Sequence, residues 1–397
     1  MIADSYVKTA RWSVAYNINN QEVTFAGIFR PKDEREAEGI RRAIIHAAEN
    51  AYGMLYMNMK RLKTINSVGL KTMAESLTWI AANVPALSVK IITTSVLPWS
   101  IKEFQRLASI SPSFQVDQYD SQFYPGQVIL EHEAFIPVLR TQTRITWHHE
   151  QHLLRKHGLT DKMYVADICC GIGDFAVLVY KQFKPSRIIA VDHAKGSLEY
   201  AKSVAKEFGI SDIEYQYGDA AALLLDDDQF DFVTCRHALQ IFNKPELILS
   251  ELFRICKPGG IVYITNEKNS HCYGEPRGDS IARTYAEVAR LFDHFDMDVE
   301  YGPKSYKHML EAGFRDVKIE EFNITNLDGN PQDFADVIQS WEDCYAGKMA
   351  VDRGDSPEEI DRFRVGFQDH IAAIMDPRGY AAWPIWVVSG SKPLKRN

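Results

Sequence analysis

The strongest constraint on the fold is a regular alternation of strand-like and helix-like segments that begins at Met163. Short apolar runs bounded by turn residues predict strands at 164–168, 187–191, 213–217, 230–235 and 260–265, with helices between them. Two more strands are predicted at 317–322 and 385–389. Strands that alternate with helices form parallel sheets through right-handed crossovers. We therefore predict an α/β fold with an open, mainly parallel sheet of seven strands.

A glycine-containing turn follows the first of these strands. Gly171 and Gly173 stand between the strand and the next helix, where they let the backbone turn tightly and a ligand approach closely. A plain tight turn would show the same pattern. However, Asp192 ends the second strand, where an acid can accept both hydroxyls of a ribose, and Asp219 ends the third. Open α/β sheets bind ligands at the carboxyl ends of their strands, so these residues predict a nucleoside site.

This order of motifs resembles the class I S-adenosylmethionine-dependent methyltransferases over residues 160–322 and the final strand. The turn is most similar to that of quinone-pathway and related small-molecule methyltransferases, which often have a cysteine at the position of Cys169. The resemblance implies a Rossmann-like seven-stranded methyltransferase sheet and S-adenosyl-L-methionine (SAM) as cofactor. A nicotinamide dehydrogenase is the alternative, but its pyrophosphate needs three glycines at a helix amino terminus. Here Cys169 and Asp174 leave that phosphate site poor and negatively charged.

The resemblance also implies which residues bind the cofactor. The methionine end would be held at the glycine turn, the ribose after the second strand and the adenine after the third, while residues after the fourth strand would border the sulfonium. The expected cofactor-binding residues are Asp167, Gly171, Gly173, Asp192, His193, Asp219, Ala220 and Arg236.

Candidates for the acceptor side follow the fourth and fifth strands. Glu267 could orient an amine or guanidine and take its proton, or it could form a surface salt bridge. His237 could be a general base for a hydroxyl, or a packed loop histidine. Both are predicted as catalytic residues. The predicted substrate-binding residues are His271, Tyr273, Arg283 and Trp341.

Composition limits the range of partners and compartments. The formal net charge of −8 disfavours nucleic acid, because phosphate backbones need a basic surface. No apolar stretch is long enough for a transmembrane helix, and the first residues lack the pattern of a signal peptide. The six cysteines form no zinc pattern, and the histidines at 148, 149 and 152 have no obvious third ligand, so no metal is expected. We expect a cytoplasmic protein with no membrane partner.

Three regions are predicted along the chain. Residues 1–122 alternate strands and helices. The order of elements over 54–119, with the turn from Asn66 to Leu70, resembles the STAS fold of anti-sigma-factor antagonists, which implies a STAS-like α/β domain at 1–122. Ser67, the expected N-cap of a helix over 68–82, stands at the serine that this family can phosphorylate, but Asn66 replaces the family's aspartate. Residues 123–160 form a helical connector, and 161–397 form the methyltransferase domain with a helical, polar insertion at about 326–380.

Three functions remain open at this point. The first is N-methylation of an amino or guanidino small molecule in specialised metabolism, which Glu267 and an acidic run at 293–300 favour. The second is O-methylation of a hydroxylated small molecule with His237 as base. The third, of a different class, is a STAS-type signalling protein whose other domain senses SAM. A homodimer is expected by analogy with the three-part layout.

Overall fold

The computed structural model describes residues 5–9, 11–18, 20–94, 99–118 and 136–394. The chain divides into two compact units, one of residues 1–120 with 222–226 and one of residues 121–221 with 227–397. In the described ranges, no helix has the length and apolar character needed to cross a bilayer. All six cysteines are described, and none of them is in a disulfide.

The amino-terminal unit contains a six-stranded sheet in the order β1-β2-β3-β4-β5-β6. Its strands are Ser5–Lys8, Trp12–Asn17, Glu22–Phe29, Met54–Ile65, Ser88–Thr93 and Phe114–Gln118. The first three strands pair antiparallel, and β3 to β6 pair parallel. The parallel connections carry α1 (Glu34–Asn50), α2 (Ser67–Asn83) and α3 (Ser100–Ala108). The alternation of strand and helix predicts this arrangement, apart from β1, which is too short to give a period.

The N-cap of α2 differs from the prediction. The cap is Asn66, whose side-chain oxygen accepts a hydrogen bond from the backbone N–H of Gly69 at 2.9 Å. Ser67 is already the first helical residue. Asparagine caps helices as well as serine does, because its short side chain reaches the unsatisfied N–H groups of the first turn. The assignment of the cap to Ser67 was therefore wrong by one residue.

The carboxy-terminal unit contains a sheet of eight strands rather than the seven predicted. Its order is β12-β14-β11-β10-β7-β8-β9, with β13 also paired to β14. The strands β7 to β14 are Tyr164–Ile168, Arg187–Asp192, Ile213–Tyr217, Phe230–Arg236, Cys256–Glu267, Tyr273–Glu275, Arg315–Thr325 and Tyr380–Ser391. The additional strand is β12, a three-residue segment that pairs with β14. A segment this short has no sequence period to reveal it.

The connectivity of this sheet places a ligand crevice at β7. The chain runs from β7 outward through β8 to β9 and then returns to the other side of β7 as β10. Strands β7 to β11 are parallel, so their carboxyl ends lie on one edge. The connections on either side of such a reversal point diverge and leave a crevice.

Helices flank the sheet and contribute to that edge. Helices α4 to α9 are Ile136–Lys156, Asp174–Phe183, Lys195–Glu207, Pro245–Ile255, Gly278–His294 and Tyr301–Glu311. Helix α4 lies within the range predicted for the helical connector, 123–160. Short 3₁₀ helices stand at Leu239–Ile241 and Asn269–His271.

The insertion between β13 and β14 is helical, as expected. It consists of α10 (Pro331–Cys344), a π-helical turn (Tyr345–Met349), α11 (Ala350–Arg353) and α12 (Pro357–Met375). The expectation that it is polar was wrong, because its inner face contributes buried residues to the main core of the unit, among them Phe334, Val337, Ile338 and Phe367. Apolar residues at helical spacing are diluted by the polar outer face when only overall composition is considered.

Candidate active site

The turn after β7 has an unusual backbone. Cys169, Gly171 and Gly173 all have left-handed conformations, with φ of 60°, 54° and 75°. A Cβ on Gly173 would lie 2.7 Å from the Cβ of Ala201, whereas a Cβ on Gly171 would meet no atom within 4 Å. Gly173 is therefore required for packing of the turn against α6, and Gly171 leaves open space in front of the backbone. This is a turn that a ligand can approach closely.

Asp192 links this turn to the end of β8. One carboxylate oxygen accepts from the backbone N–H of Gly171 at 2.7 Å, and the other accepts from that of Ala194 at 2.9 Å. Burial raises the pKa of Asp192, while these backbone donors oppose the rise. Each carboxylate oxygen can accept two hydrogen bonds, so Asp192 retains the capacity to accept from ribose hydroxyls.

A cavity of about 250 Å³ lies at the carboxyl ends of the central strands. Its size is near the lower end of small-molecule sites, which are roughly 300–1,000 Å³. Most of the predicted site residues line it, namely Gly171, Asp192, His193, Ala220, Arg236, His237, Glu267 and Trp341. Residues from the cofactor and acceptor predictions thus meet in one space, as one transfer reaction would require.

Asp167, Gly173 and Asp219 do not line the cavity. Gly173 packs against α6. Asp219 stands in the chain between Gly218 and Ala220, which do line the cavity, and one of its oxygens accepts from the backbone N–H of Ala221 at 2.8 Å. Asp167 is buried and accepts from the hydroxyl of Thr234 at 2.8 Å. Burial raises the pKa of Asp167 to about 7, and its second oxygen has no hydrogen-bond partner in the described structure.

Arg236 lines the cavity, but its guanidinium is already engaged. Its Nε donates to Glu150 at 2.8 Å. Its Nη2 also pairs with Glu150, and it donates to the hydroxyl oxygen of Thr146 at 3.2 Å. Its guanidinium carbon lies 4.0 Å from the ring centre of Phe175. Glu150 is fully buried and belongs to α4. The main role that the contacts give to Arg236 is therefore to hold α4 against the end of β10, rather than to bind a cofactor.

His237 and Glu267 form a buried hydrogen-bonded pair in the cavity wall. The Nδ1 of His237 lies 2.6 Å from one oxygen of Glu267. The Nε2 of His237 and the second oxygen of Glu267 are buried and have no hydrogen-bond partner in the described structure. Both predicted catalytic residues therefore share one site, and each presents one polar atom that no described residue satisfies.

Aromatic side chains surround this pair. Trp341 and Tyr345 of the insertion are stacked with ring centres 6.2 Å apart, and Phe292 packs edge-on against Tyr345 at 5.1 Å. All three line the cavity. Trp383 of β14 lies 5.9 Å from the ring of His237 and 5.1 Å from Trp341. This part of the cavity offers flat apolar faces next to a carboxylate.

Three predicted substrate-binding residues lie elsewhere. His271, Tyr273 and Arg283 are exposed and do not line the cavity. The hydroxyl of Tyr273 donates to Glu275 at 3.0 Å on the edge strand β12. The chain turns away from the cavity after the 3₁₀ helix at 269–271, so only Asn269 of this segment contributes to the wall. Proximity to β11 in sequence was a poor guide here because the strand ends in a sharp reversal.

The sequence analysis missed the contribution of α4. Val138, Leu139, Gln142 and Thr143 line the cavity, and Glu150 pairs with Arg236. A buried acid and a threonine four residues earlier on one helix face were the available signal. The acidic run at 293–300 is surface chemistry, since Asp298 pairs with Lys304 and Glu300 accepts from Ser270. Among the described residues, no group of histidine, cysteine and acidic side chains could hold a metal.

Comparison with known proteins agrees with this geometry. Residues 165–260 match the family of the methyltransferase domain. A demethylmenaquinone methyltransferase of Lactococcus lactis subsp. lactis (strain IL1403) is 35% identical over 112 residues, which are 28% of this chain and 44% of the relative. A sterol 24-C-methyltransferase of Yarrowia lipolytica (strain CLIB 122 / E 150) is 30% identical over 171 residues, 39% of this chain and 45% of the relative. The chain thus spans less than half the length of each.

Among solved structures, phosphoethanolamine N-methyltransferase 2 of Haemonchus contortus in complex with S-adenosyl-L-methionine superimposes with a TM-score of 0.44 at 13% identity. The match covers 92% of this chain and 94% of that one. The family match over residues 165–260, which include the glycine turn, Asp192 and Arg236, supports a methyltransferase domain there, with S-adenosyl-L-methionine as its cofactor. The open turn at Gly171 and the carboxylate of Asp192 fit this nucleoside cofactor, which has no phosphate to bind.

Proposed function

We propose that this protein transfers the methyl group of SAM to a nitrogen atom of a small amino or guanidino compound. The observation that carries the proposal is Glu267, a buried carboxylate with an unsatisfied oxygen in the cavity wall. A buried charge is costly unless it is paired. A cationic acceptor would supply the missing charge and hydrogen-bond donors in one group.

The charges of the cavity support a cationic acceptor. Asp174, Asp192 and Glu267 are the acids among its described lining residues, and Arg236, which Glu150 already pairs, is the lining residue with a permanent positive charge. The stacked Trp341 and Tyr345 add faces that attract cations. An anionic acceptor would meet these three acids, while the Arg236 guanidinium is already paired with Glu150.

The residues proposed to hold the cofactor lie along β7 to β10. The Gly171 backbone would face the methionine end with Asp167 behind it, Asp192 with His193 the ribose, and Ala220 next to Asp219 the adenine. SAM supplies an activated methyl group, and sulfur keeps the electron pair of the bond that breaks when the bond from methyl carbon to acceptor nitrogen forms. The protein's task is to align the acceptor lone pair and to exclude water.

The test combines turnover with binding. Methyl transfer from labelled SAM is measured with primary amines, guanidines and phenols of similar size. We expect turnover with an amine or guanidine, and Glu267→Gln should weaken binding of that acceptor at least tenfold while the Kd for SAM changes less than twofold. Asp328→Asn, a surface change, is the matched control. Turnover of phenols alone would contradict the proposal.

A second candidate, O-methylation, is favoured by the unsatisfied Nε2 of His237. A neutral imidazole in that position could take a proton from a hydroxyl group. The same acceptor panel separates the two candidates. If phenols react and amines do not, Glu267→Gln should reduce kcat more than it weakens acceptor binding, because Glu267 would then act only through His237.

Three broader expectations accompany the proposal. The amino-terminal unit, with its resemblance to STAS domains, is proposed to have a structural role in a homodimer, and the protein is proposed to work in the cytoplasm without nucleic-acid partners. Light scattering coupled to size-exclusion chromatography would test the dimer. Phosphate on Ser67 together with no turnover of any acceptor would instead favour the signalling alternative.

A further inference from the structure

We infer that His237 is the general base of this site and that Glu267 holds it in the required orientation and tautomer. The inference deepens the proposed function and rests on it for the reaction, although it does not depend on whether the acceptor atom is nitrogen or oxygen. It follows from a backbone constraint, a hydrogen bond and a buried nitrogen that the protein does not use.

The backbone fixes the position of His237. Its φ is 51°, in the left-handed region that residues other than glycine adopt uncommonly, with asparagine, aspartate and histidine the most frequent among them. Its N–H donates to the carbonyl of Thr265 at 2.8 Å, which ties the end of β10 to β11. A strained residue at the end of a central strand is held there by its surroundings. The surrounding structure thus holds the imidazole in the cavity wall although the backbone conformation of His237 is unfavourable.

The side chain is fixed from two directions. Its Nδ1 is 2.6 Å from Glu267, and its ring lies 5.9 Å from that of Trp383. Glu267 is itself held, since its backbone N–H donates to the side-chain oxygen of Gln240 at 3.2 Å. An ionised carboxylate only accepts hydrogen bonds, so Nδ1 must carry the proton that faces it. The lone pair of a neutral His237 is then on Nε2.

That lone pair is where a base is needed. Nε2 is buried, has no hydrogen-bond partner in the described structure, and belongs to a residue that lines the cavity. In the proposed step the acceptor's N–H bond breaks, its electron pair stays on nitrogen, and the proton goes to Nε2. Glu267 stabilises the imidazolium that results. A base oriented by a second group in this way typically contributes about 10²–10⁴ in rate.

The other groups near the pair do not compete for the proton. Tyr345 from the π-helical turn and Cys272 after the 3₁₀ helix are the titratable groups whose charge interacts with Glu267. Burial raises the pKa of both well above its ordinary value, so both stay neutral near pH 7. Arg236, next in the chain, is paired with Glu150. Glu267 is therefore the charge that decides the state of His237.

The structure suggests a specific variant for the test. His237→Asn keeps a residue that tolerates φ near 51° and a donor that can reach Glu267, but it removes Nε2. His237→Ala would add backbone strain and is the less informative change. With the acceptor that the wild type uses, we expect His237→Asn to lower kcat at least 100-fold, with the Kd values for SAM and for the acceptor within about threefold.

A second measurement does not need turnover. Nitrogen-15 NMR of the imidazole rings, with the His237 signals identified by their loss in His237→Asn, reports which nitrogen carries the proton. We expect the Nδ1–H tautomer in the wild type, and a mixture in Glu267→Ala. A wild type that shows the Nε2–H tautomer, or a His237→Asn variant with kcat within threefold of the wild type, would overturn the inference. Turnover of phenols but not amines would refute only the proposed N-methylation.

Discussion

At the scale of single residues, the site is dominated by acids that are buried. Asp167 is the clearest case, with one oxygen bonded to Thr234 and the other unsatisfied. Burial is the largest cause of its raised pKa of about 7, while Thr234 and the charge of Arg236 lower it. The usual aspartate value is roughly 3.9. Asp167 therefore changes its charge in the physiological range, which an exposed aspartate does not.

This shift predicts how the ligand-free protein responds to pH. Since the folded state binds the proton of Asp167 more tightly than the unfolded state, Asp167 destabilises the protein as pH rises from about 4 to about 7. Asp167→Asn should remove this loss, so the difference in melting temperature between variant and wild type should grow from pH 5 to pH 8. Thermal melts across this range check it, and a constant difference would contradict it.

Asp167 also predicts a proton coupled to cofactor binding. A cation near its carboxylate favours the ionised form, and SAM carries an ammonium group at its methionine end. Binding near pH 7 should therefore release a proton and strengthen from pH 6 to pH 8. Calorimetry in buffers of different ionisation enthalpy measures the proton, and in Asp167→Asn the release should vanish. Release that persists in the variant would assign it to another group.

At the scale of elements, buried polar pairs join α4 to the sheet and the insertion to α8. Glu150 of α4 pairs with Arg236 of β10, and in the insertion the Nδ1 of His370 in α12 lies 2.7 Å from the hydroxyl of Tyr285 in α8. Buried pairs of this kind add little net stability, but breaking one leaves a charge without compensation. The two pairs can therefore be tested separately, with substitution of Glu150 for α4 and with acidic pH and substitution of His370 for the insertion.

For α4, we expect Glu150→Gln to lower the free energy of unfolding by about 3–5 kcal/mol, because it leaves the Arg236 guanidinium buried without a counter-charge. Replacing both residues with methionine should restore more than half of the loss. Glu199→Gln, which breaks an exposed pair with Lys202, should cost no more than about 0.5 kcal/mol. Urea unfolding of the wild type and of these three variants measures these values, and equal losses at positions 150 and 199 would contradict them.

For the insertion, acid sensitivity should come from His370. Burial lowers its pKa to about 3, so the folded state keeps it neutral while the unfolded state binds a proton below about pH 6.5. Its contribution to stability is present above pH 6.5 and is lost progressively as pH falls, by roughly 2 kcal/mol at pH 5. The hydrogen-exchange protection factors of 331–375, which correct for the intrinsic pH dependence of exchange, should fall in acid, and those of His370→Gln should fall less. Equal pH dependence in both proteins would refute it.

At the scale of the whole molecule, the chain consists of two units with separate sheets and separate cores. The cavity and all the residues proposed to bind SAM belong to the larger unit. A ligand stabilises only the folded unit that binds it, by an amount set by its concentration relative to its Kd. Ligand binding can therefore identify which unit melts in which thermal transition.

We expect SAM at 100 times its Kd to stabilise the larger unit by about 2.7 kcal/mol and to raise its melting temperature by roughly 5 °C. Differential scanning calorimetry of the full chain measures both transitions. The transition with the smaller enthalpy, from the amino-terminal unit, should not move, and Asp192→Ala should abolish the shift. A shift confined to the smaller transition would contradict the assignment of the cofactor site.

The two halves of the site differ in how well the sequence predicts their residues. Gly171, Asp192 and Ala220 could be predicted because each follows a strand, and parallel strands bring their carboxyl ends together. His237 and Glu267 were found for the same reason, but their mutual hydrogen bond was not, since register between β10 and β11 decides it. His271, Tyr273 and Arg283 were misplaced because no local signal shows in which direction a chain leaves its strand.

The sequence by itself determined the alternation of strands and helices, the parallel sheet and the nucleoside-binding edge, because these depend on periods and turn residues that act over a few positions. Only the tertiary structure decided that Glu150 holds Arg236, that the insertion's aromatic residues close the acceptor side, and that His237 keeps one nitrogen for the cavity. These contacts join residues 30 to 86 positions apart in the chain, and their energies come from burial, which no local pattern specifies.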